Sequence, residues 1–370
     1  MTTNAIASNL KRLRGSRGLT QDDLAKKAKL SRIAYSNVEN GKANPRVNNL
    51  QQIADALDVG IQELVTPVPT ITSLRFRSNK MPIGHARNSR DQIEADVAFW
   101  LRDYSGLEQK LSKQRPNVFK SIKANNPKEF ATKVRGEVWS LENDDPINDI
   151  CGLVEHAGVK IKLIKSNLEG FFGLSAFDQN GYPAIVVNIR EDISVERQIF
   201  TVAHELGHIV MHQGSFDGGI AKEKDKEEDE ANQFASYFLM PERAFKKSLE
   251  ENKGLHWLQS ILHIKRFYKV SFKTVILRLI DIGIDKEKIW PNFYREYQKQ
   301  YGGNLKKHKE PSPLDPLDFL EDRLSALTKE ALEKELISVS RAAEILDISI
   351  EQMRDRINAW SLVVNESASV

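Results

Sequence analysis

The five residues His204-Glu205-Leu206-Gly207-His208 constrain this chain more than any other stretch. Two histidines four apart fall on one face of a helix, about one turn from each other, so both imidazoles can grip one ion from the same side. Apolar residues recur around them at helical spacing: Ile199, Val202, Ala203, Leu206, Ile209 and Val210. Ser194 to His212 is therefore expected to be a packed helix rather than a polar loop. Glu205 does not share the direction of the histidines. It projects toward a water beside the ion, whose proton it can take. The plain alternative is two surface histidines on an amphipathic helix.

A catalytic zinc needs a third protein ligand and one open position. The segment EEDEANQFASYFLMP offers Glu227, Glu228, Asp229 and Glu230. Helical phase favours Glu228. Ala231, Asn232, Ala235, Phe238 and Leu239 form the inward stripe, and Glu228 lies three or four residues ahead of it. Glu227 is the nearest substitute, while Glu230 falls in line with Gln233 and Tyr237 and points elsewhere. Asn232, one turn after Glu228, is placed to hydrogen-bond a liganding imidazole. His212 extends the histidine face by another turn. Three consecutive turns, each rising about 5.4 Å, share one ion poorly, so His212 reads better as a helix-end residue meeting terminal carbonyls.

Ahead of this helix the period changes from helical to alternating. Val159–Ile164 reads as a strand with one wet, basic face, and Phe171–Phe177 and Tyr182–Asn188 read as two more. The turn DQNGYP between the last two favours a hairpin. Gly173-Leu174-Ser175-Ala176, read as an edge strand, could pair with an extended peptide; a plain core strand is the other reading. For an oxyanion, zinc itself would serve, with Tyr237 and His256 as further candidates.

ERQIFTVAHELGHIVMH followed by EDEANQFASYFLMP resembles the ImmA/IrrE family of zinc metallopeptidases, and GLSA and AIVVN look like strands of that family's sheet. The resemblance covers about residues 147–279. It implies a small gluzincin-like fold, with Zn2+ held by His204, His208 and Glu228 and with Glu205 as base. It also implies a substrate class, because members of that family act on helix-turn-helix repressors during stress or mobile-element induction.

The N-terminal stretch LTQDDLAKKAKLSRIAYSNVENGKANP has the layout of a helix-turn-helix. Thr20 caps a helix from Gln21 to Ala28, Lys29 and Leu30 make the turn, and Ser31 caps the next helix, which Gly41 ends. With Ala34 or Tyr35 and Val38 inward, Arg32, Ile33, Ser36 and Asn37 face out. A recognition helix presents such residues to base edges in the major groove. Arg32 suits guanine and Asn37 adenine, while Gln21, Asn40, Lys42 and Arg46 are placed for phosphates. Residues 1–65 carry ten Lys and Arg against six Asp and Glu, a basic footprint that the rest of the chain lacks. Gly18-Leu19-Thr20-Gln21, Glu39-Asn40-Gly41-Lys42 and Pro45 make residues 4–65 resemble the XRE/Cro family of DNA-binding domains. The resemblance implies a structural Arg14–Glu39 pair. It departs from the family pattern at Lys29, where a glycine is usual. A left-handed turn there costs lysine about 1 kcal/mol more than glycine. A helical protein-interaction module is the other reading.

The expected fold class is mainly α with a small β-sheet, that is α+β. An all-α helix-turn-helix domain at 4–65 is followed by a linker at 66–90, where TPVPTITSLRFRSNKMP has three prolines and no lasting period. A metallopeptidase domain follows at 91–300 with its core at 147–280, its first helix expected at Asp91–Leu111. A helical tail at 317–362 looks helix-turn-helix-like, but its outward Glu344, Asp347 and Glu351 suit packing or dimerisation better than phosphates. One cysteine, Cys151, excludes an intrachain disulfide. With no apolar signal-peptide core and no run near the roughly 20 apolar residues of a membrane helix, the expected place is the cytoplasm, with no membrane partner. The function expected is a regulator that binds a double-stranded operator, with a homodimer on two half-sites as the assembly considered, and cleaves a regulatory protein such as a repressor. The alternative is a transcription factor or antitoxin-like regulator whose zinc site is sensory or vestigial.

Overall fold

The computed structural model describes residues 2–71, 73–76, 85–142, 144–216, 225–303, 305 and 309–367. They fall into two units. The first takes 2–71, 85–103 and 168–170, and the second takes the rest. Helices dominate both, and the only sheet among the described residues has four strands.

The first unit packs five short helices, α1 (Thr2–Ser16), α2 (Gln21–Lys27), α3 (Arg32–Glu39), α4 (Val47–Leu57) and α5 (Ile61–Val65), with the first part of α6 (His85–Lys110). Leu10, Leu13, Leu24, Ala25, Tyr35, Val38, Ile53 and Leu64 form its core. Local chemistry sets the helix starts. Thr20 and Asp23 form a reciprocal capping box at α2, and Ser31 Oγ accepts from Ala34 N at the start of α3. Between them Lys29 adopts φ 55°, the left-handed conformation expected at the glycine position. Leu30 N donates to Ala25 O at 2.9 Å, closing the turn.

The second unit holds α7 (Pro127–Lys133), α8 (Ile150–His156), α9 (Val195–Met211), α10 (Asp225–Leu239), α11 (Glu242–Glu251), α12 (Trp257–Phe267), α13 (Phe272–Asp281) and α14 (Lys286–Tyr301). The tail contributes α15 (Arg323–Glu333), α16 (Val339–Leu346) and α17 (Ile350–Ser367). The strands are β1 (Ser73–Phe76), β2 (Lys160–Ile164), β3 (Gly173–Phe177) and β4 (Pro183–Asn188), in the order β1-β3-β4-β2. β3 and β4 form the expected hairpin. Asp178 Oδ1 accepts from Asn180 N and Tyr182 N across its turn, and Gly181 takes φ +77°. β2 runs parallel to β4, with Ile161 opposite Ile185. α9 lies in the middle of the core, with Ile199, Val202, Ala203, Leu206 and Ile209 all at 2% exposure or less.

Three expectations need correction. The stretch read as linker contains β1, which pairs antiparallel with β3, and α6 begins at His85 rather than Asp91. β3 is consequently an interior strand, which favours the core-strand reading of GLSA over the edge-strand one. Finally, Lys160 is not on a wet face. It is 1% exposed, with its ammonium 3.2 Å from Glu108 and 3.6 Å from Asp178 and over the Tyr182 ring.

The tail repeats the turn of the first unit. Asp347 takes φ 55°, Ile348 N donates to Ala343 O at 3.1 Å, and Ser349 Oγ accepts from Gln352 N at 3.1 Å. Met353 is fully buried four residues after Ser349, as Tyr35 is four residues after Ser31.

Candidate metal centre and nucleic-acid interface

Two glycines bring three elements together at the HELGH turn of α9. A Cβ on Gly207 would sit 3.0 Å from Phe234 Cδ1, so its absence lets α10 lie close against α9. A Cβ on Gly173 would sit 2.5 Å from Thr201 Cγ2 and 2.8 Å from Val186 O, so β3 crosses directly over the same helix. Close approach of backbone is the use of glycine at both places.

The result is one donor cluster. Ligating atoms of His204, His208 and Glu228 all lie within 4.8 Å of one another, the one such group of three among the described residues. His204 Nε2 is 3.2 Å from Glu228 Oε2, and His208 Nε2 is 3.1 Å from Glu228 Oε1. Both histidines are buried. Burial, the largest influence, lowers the His208 imidazole to about 4, so it is neutral at pH 7, the form that binds a metal. Two imidazole nitrogens and a carboxylate oxygen converging from two helices match the three-ligand set of a catalytic zinc. The donors present therefore fit the metal that the motif implies.

Outer partners orient each donor. Asn232 Oδ1 is 3.0 Å from His204 Nδ1, which is where helical phase placed Asn232. His208 Nδ1 meets His212 Nδ1 at 2.9 Å, and His212 Nε2 meets Glu230 Oε2 at 3.0 Å. His212 and Glu230 thus brace the centre from behind, a role the sequence reading did not assign to either. Its signal was present, since His212 is one turn beyond His208 on the same face. Arg75 of β1, 1% exposed, is the other residue that reasoning missed. Its guanidinium bonds Glu227 and lies 3.3 Å from Glu228 Oε1. Glu227, the substitute ligand, is engaged there.

Glu205 is fully buried on α9, and its Cγ lies 3.7 Å from where a Gly173 Cβ would stand, beside β3. The two candidate oxyanion helpers have other partners. The Tyr237 ring lies under Arg278 at 3.9 Å, and His256 caps α12 and faces Glu296.

In the first unit, α3 presents Arg32 and Ile33 outward, Ile33 at 76% exposure, with Ser36 and Asn37 half-buried beside them. Tyr35, not Ala34, is the inward residue. Asn40 is exposed and donates to Ser36 O at 2.7 Å, and Lys42 is exposed. Gln21 is half-buried and donates to Glu39 Oε1 at 3.0 Å. Glu39 also receives Arg14 through two bonds of 2.7 Å and the Tyr35 hydroxyl at 2.6 Å. That pair, with Glu39 buried and Arg14 half-buried, pins α3 to α1.

The comparisons with known proteins divide along the same lines. Residues 155–279 match the IrrE N-terminal-like domain family, and residues 10–64 match a helix-turn-helix family. The uncharacterized HTH-type transcriptional regulator y4dJ of Sinorhizobium fredii is 42% identical over 62 residues, 17% of this chain and 80% of that protein. Among solved structures, the hypothetical transcription factor NHTF from Neisseria is 30% identical over 18% of this chain and 77% of its own, at a TM-score of 0.18. Bacillus thuringiensis PlcR, solved with the peptide PapR7 and DNA, is 13% identical over 96% of this chain and 98% of its own, at a TM-score of 0.16. Among the described residues, no helix is long and apolar enough to cross a membrane. The chain belongs to the helix-turn-helix transcriptional regulators through residues 10–64, and residues 155–279 join to that reader a domain of the IrrE N-terminal-like, metallopeptidase-type family.

Proposed function

We propose that this chain is a DNA-binding transcriptional regulator whose second unit is a zinc metalloendopeptidase that cleaves a regulatory protein such as a repressor. The observation that carries the enzymatic half is the convergence of His204, His208 and Glu228 within 4.8 Å, next to the fully buried Glu205. A zinc ion bound there would polarise the scissile carbonyl and acidify a water. The chain's own residues do the rest. Glu205 takes a proton from the attacking water on its carboxylate and returns it to the leaving amine, so the peptide bond and one water become a carboxylate and an amine. Glu228 and the two imidazoles hold the donor geometry. Asn232 and His212 fix the two imidazole planes, so little reorganisation is needed as charge develops.

The DNA half rests on α3. Arg32 and Asn37 are the base-reading candidates, and Ile33 is an apolar contact suited to a thymine methyl. Asn40, Lys42 and Arg46 at the end of α3 and beyond are placed for phosphates. Gln21 contributes chiefly by holding Glu39. Two copies on two half-sites is the expected stoichiometry, since a single short helix reads few base pairs.

The test uses zinc-loaded wild type and Glu205→Gln with helix-turn-helix repressors as substrates, followed by mass spectrometry of products. Cleavage by wild type and none by Glu205→Gln, with equal zinc content, is the expected result. If wild type cuts none of them yet binds zinc and an operator tightly, the sensory reading of the metal site replaces the proteolytic one.

A further inference from the structure

Strand β1 is a part of the second unit that neither motif accounts for. It is four residues long and lies along β3, with Leu74 opposite Ala176 and Arg75 opposite Ser175. It therefore covers the side of β3 that would otherwise be open to another strand. β3 is also the strand that crosses the HELGH turn, with Gly173 against Thr201 and Glu205. Alternate residues of a strand share a face, and directly opposed residues on paired strands do too. Gly173, Ser175 and Arg75 thus look toward α9, and Leu74 looks the other way.

The chemistry on that face is what a peptide groove requires. Arg75 is 1% exposed, and its guanidinium is shared between Glu227 and the candidate ligand Glu228. Opposite it, Ser175 Oγ is fully buried with no hydrogen-bond partner. A buried hydroxyl left unpaired is costly. Extended peptides add to exposed sheet edges through main-chain bonds, which give affinity, and side-chain pockets give specificity. β1 meets both criteria from within the chain. It is four residues long and is held by its pairing with β3, by the buried Leu74 and by the Arg75 pairs with Glu227 and Glu228.

We propose that β1 is this chain's own occupant of a peptide groove on β3, and that the groove accepts extended segments carrying an arginine, with Glu227 as the specificity-determining carboxylate. When Glu228 is committed to a metal, Glu227 remains for the guanidinium. The inference rests on the peptidase reading for its purpose, but its test measures binding, so failure to find cleavage leaves it intact.

The test uses metal-stripped, full-length protein, which excludes cleavage. The probe is a fluorescent peptide with the sequence of residues 70–80, TITSLRFRSNK. Leu74→Asp with Arg75→Ala releases β1. That variant should bind the probe at least about tenfold more tightly than wild type, and a probe with glutamate in place of the first arginine should bind about tenfold more weakly. Adding Glu227→Gln to the variant should weaken binding similarly. Equal binding to wild type and variant, or no binding to either, would overturn the proposal. A second measurement guards against misfolding and uses the unaltered chain. Excess probe should speed amide hydrogen exchange at residues 73–76 while β3 stays protected. Exchange at 73–76 as slow as in β4, with or without probe, would overturn it as well.

Discussion

His212 Nδ1 lies 2.9 Å from His208 Nδ1, and its other ring nitrogen is 3.0 Å from Glu230 Oε2. A metal-facing imidazole whose far nitrogen is tied down has a fixed tautomer and a fixed plane. With a metal bound, His212 would position the His208 imidazole, and Asn232 would do the same for His204. His212→Ala should weaken zinc binding by about 10–100-fold, as loss of such a partner does elsewhere. Competition against a chromophoric chelator reads this directly. An unchanged affinity would reduce His212 to a buried helix end.

Glu39 sits in the core of the first unit, its side chain 3% exposed, bonded to Arg14, Gln21 and Tyr35. Burial raises its pKa, but the bonds from Arg14, Gln21 and Tyr35 outweigh that and hold it below the usual carboxylate value. A carboxylate depressed in the folded state contributes stability above its unfolded pKa and loses it as pH falls through the folded one. The first unit should accordingly lose stability as the pH drops below about 4.5. Arg14→Ala leaves the buried carboxylate without its cation and should cost about 3 kcal/mol. Operator binding should become heat-labile in step with helix melting followed by circular dichroism.

The helices that carry His204, His208 and Glu228, and the two of the helix-turn-helix, were legible because their own residues dictate them. The apolar stripe through Ile199, Val202 and Leu206 fixes the direction of His204 and His208, and the stripe through Ala231, Ala235 and Phe238 fixes that of Glu228. Thr20 and Ser31 mark helix starts by hydroxyl chemistry alone. What the sequence hid depends on partners far along the chain. SLRF is a strand only because β3 pairs with it, and four residues among prolines carry no period of their own. The rank of β3 within the sheet then changes with it. Lys160 looks like half of an alternating wet face until Glu108 of α6 and Asp178 of the hairpin turn are placed beside it. His212 followed the right face, but the rise per turn argued only about direct ligation and said nothing of a second imidazole standing behind the first.

Lys29 keeps the helix-turn-helix bend at φ 55°, a conformation that L side chains adopt at a cost. Its side chain is exposed and its backbone N donates to Lys26 O, so removing the side chain disturbs no packing. Lys29→Gly should therefore stabilise the first unit by about 0.5–1 kcal/mol, the steric relief less part of the extra entropy of an unfolded glycine. Thermal melting checks this. A destabilised variant would mean the lysine stem contributes more than its conformation costs.

Glu155 supplies the clearest pH dependence of the second unit. It lies on α8 at 2% exposure, and burial pushes its carboxyl up to about 9, with the nearby Glu321 adding to the rise. A carboxyl raised on folding is protonated in the native state and ionised in the unfolded chain at neutral pH. The folded form thus binds more protons, and stability falls as pH rises from the ordinary carboxylate range to about 9. At pH 7 the loss relative to pH 4 is about 3 kcal/mol by linkage. Glu155→Gln keeps the size and hydrogen-bonding capacity of the neutral acid and removes the proton. It should match wild type near pH 4, exceed it at pH 7, and exceed it most above pH 9. Urea melts of the two proteins across that range decide the matter. A wild type whose stability at pH 7 and pH 4 differs no more than that of Glu155→Gln would mean the buried carboxyl is already ionised and satisfied by Arg323.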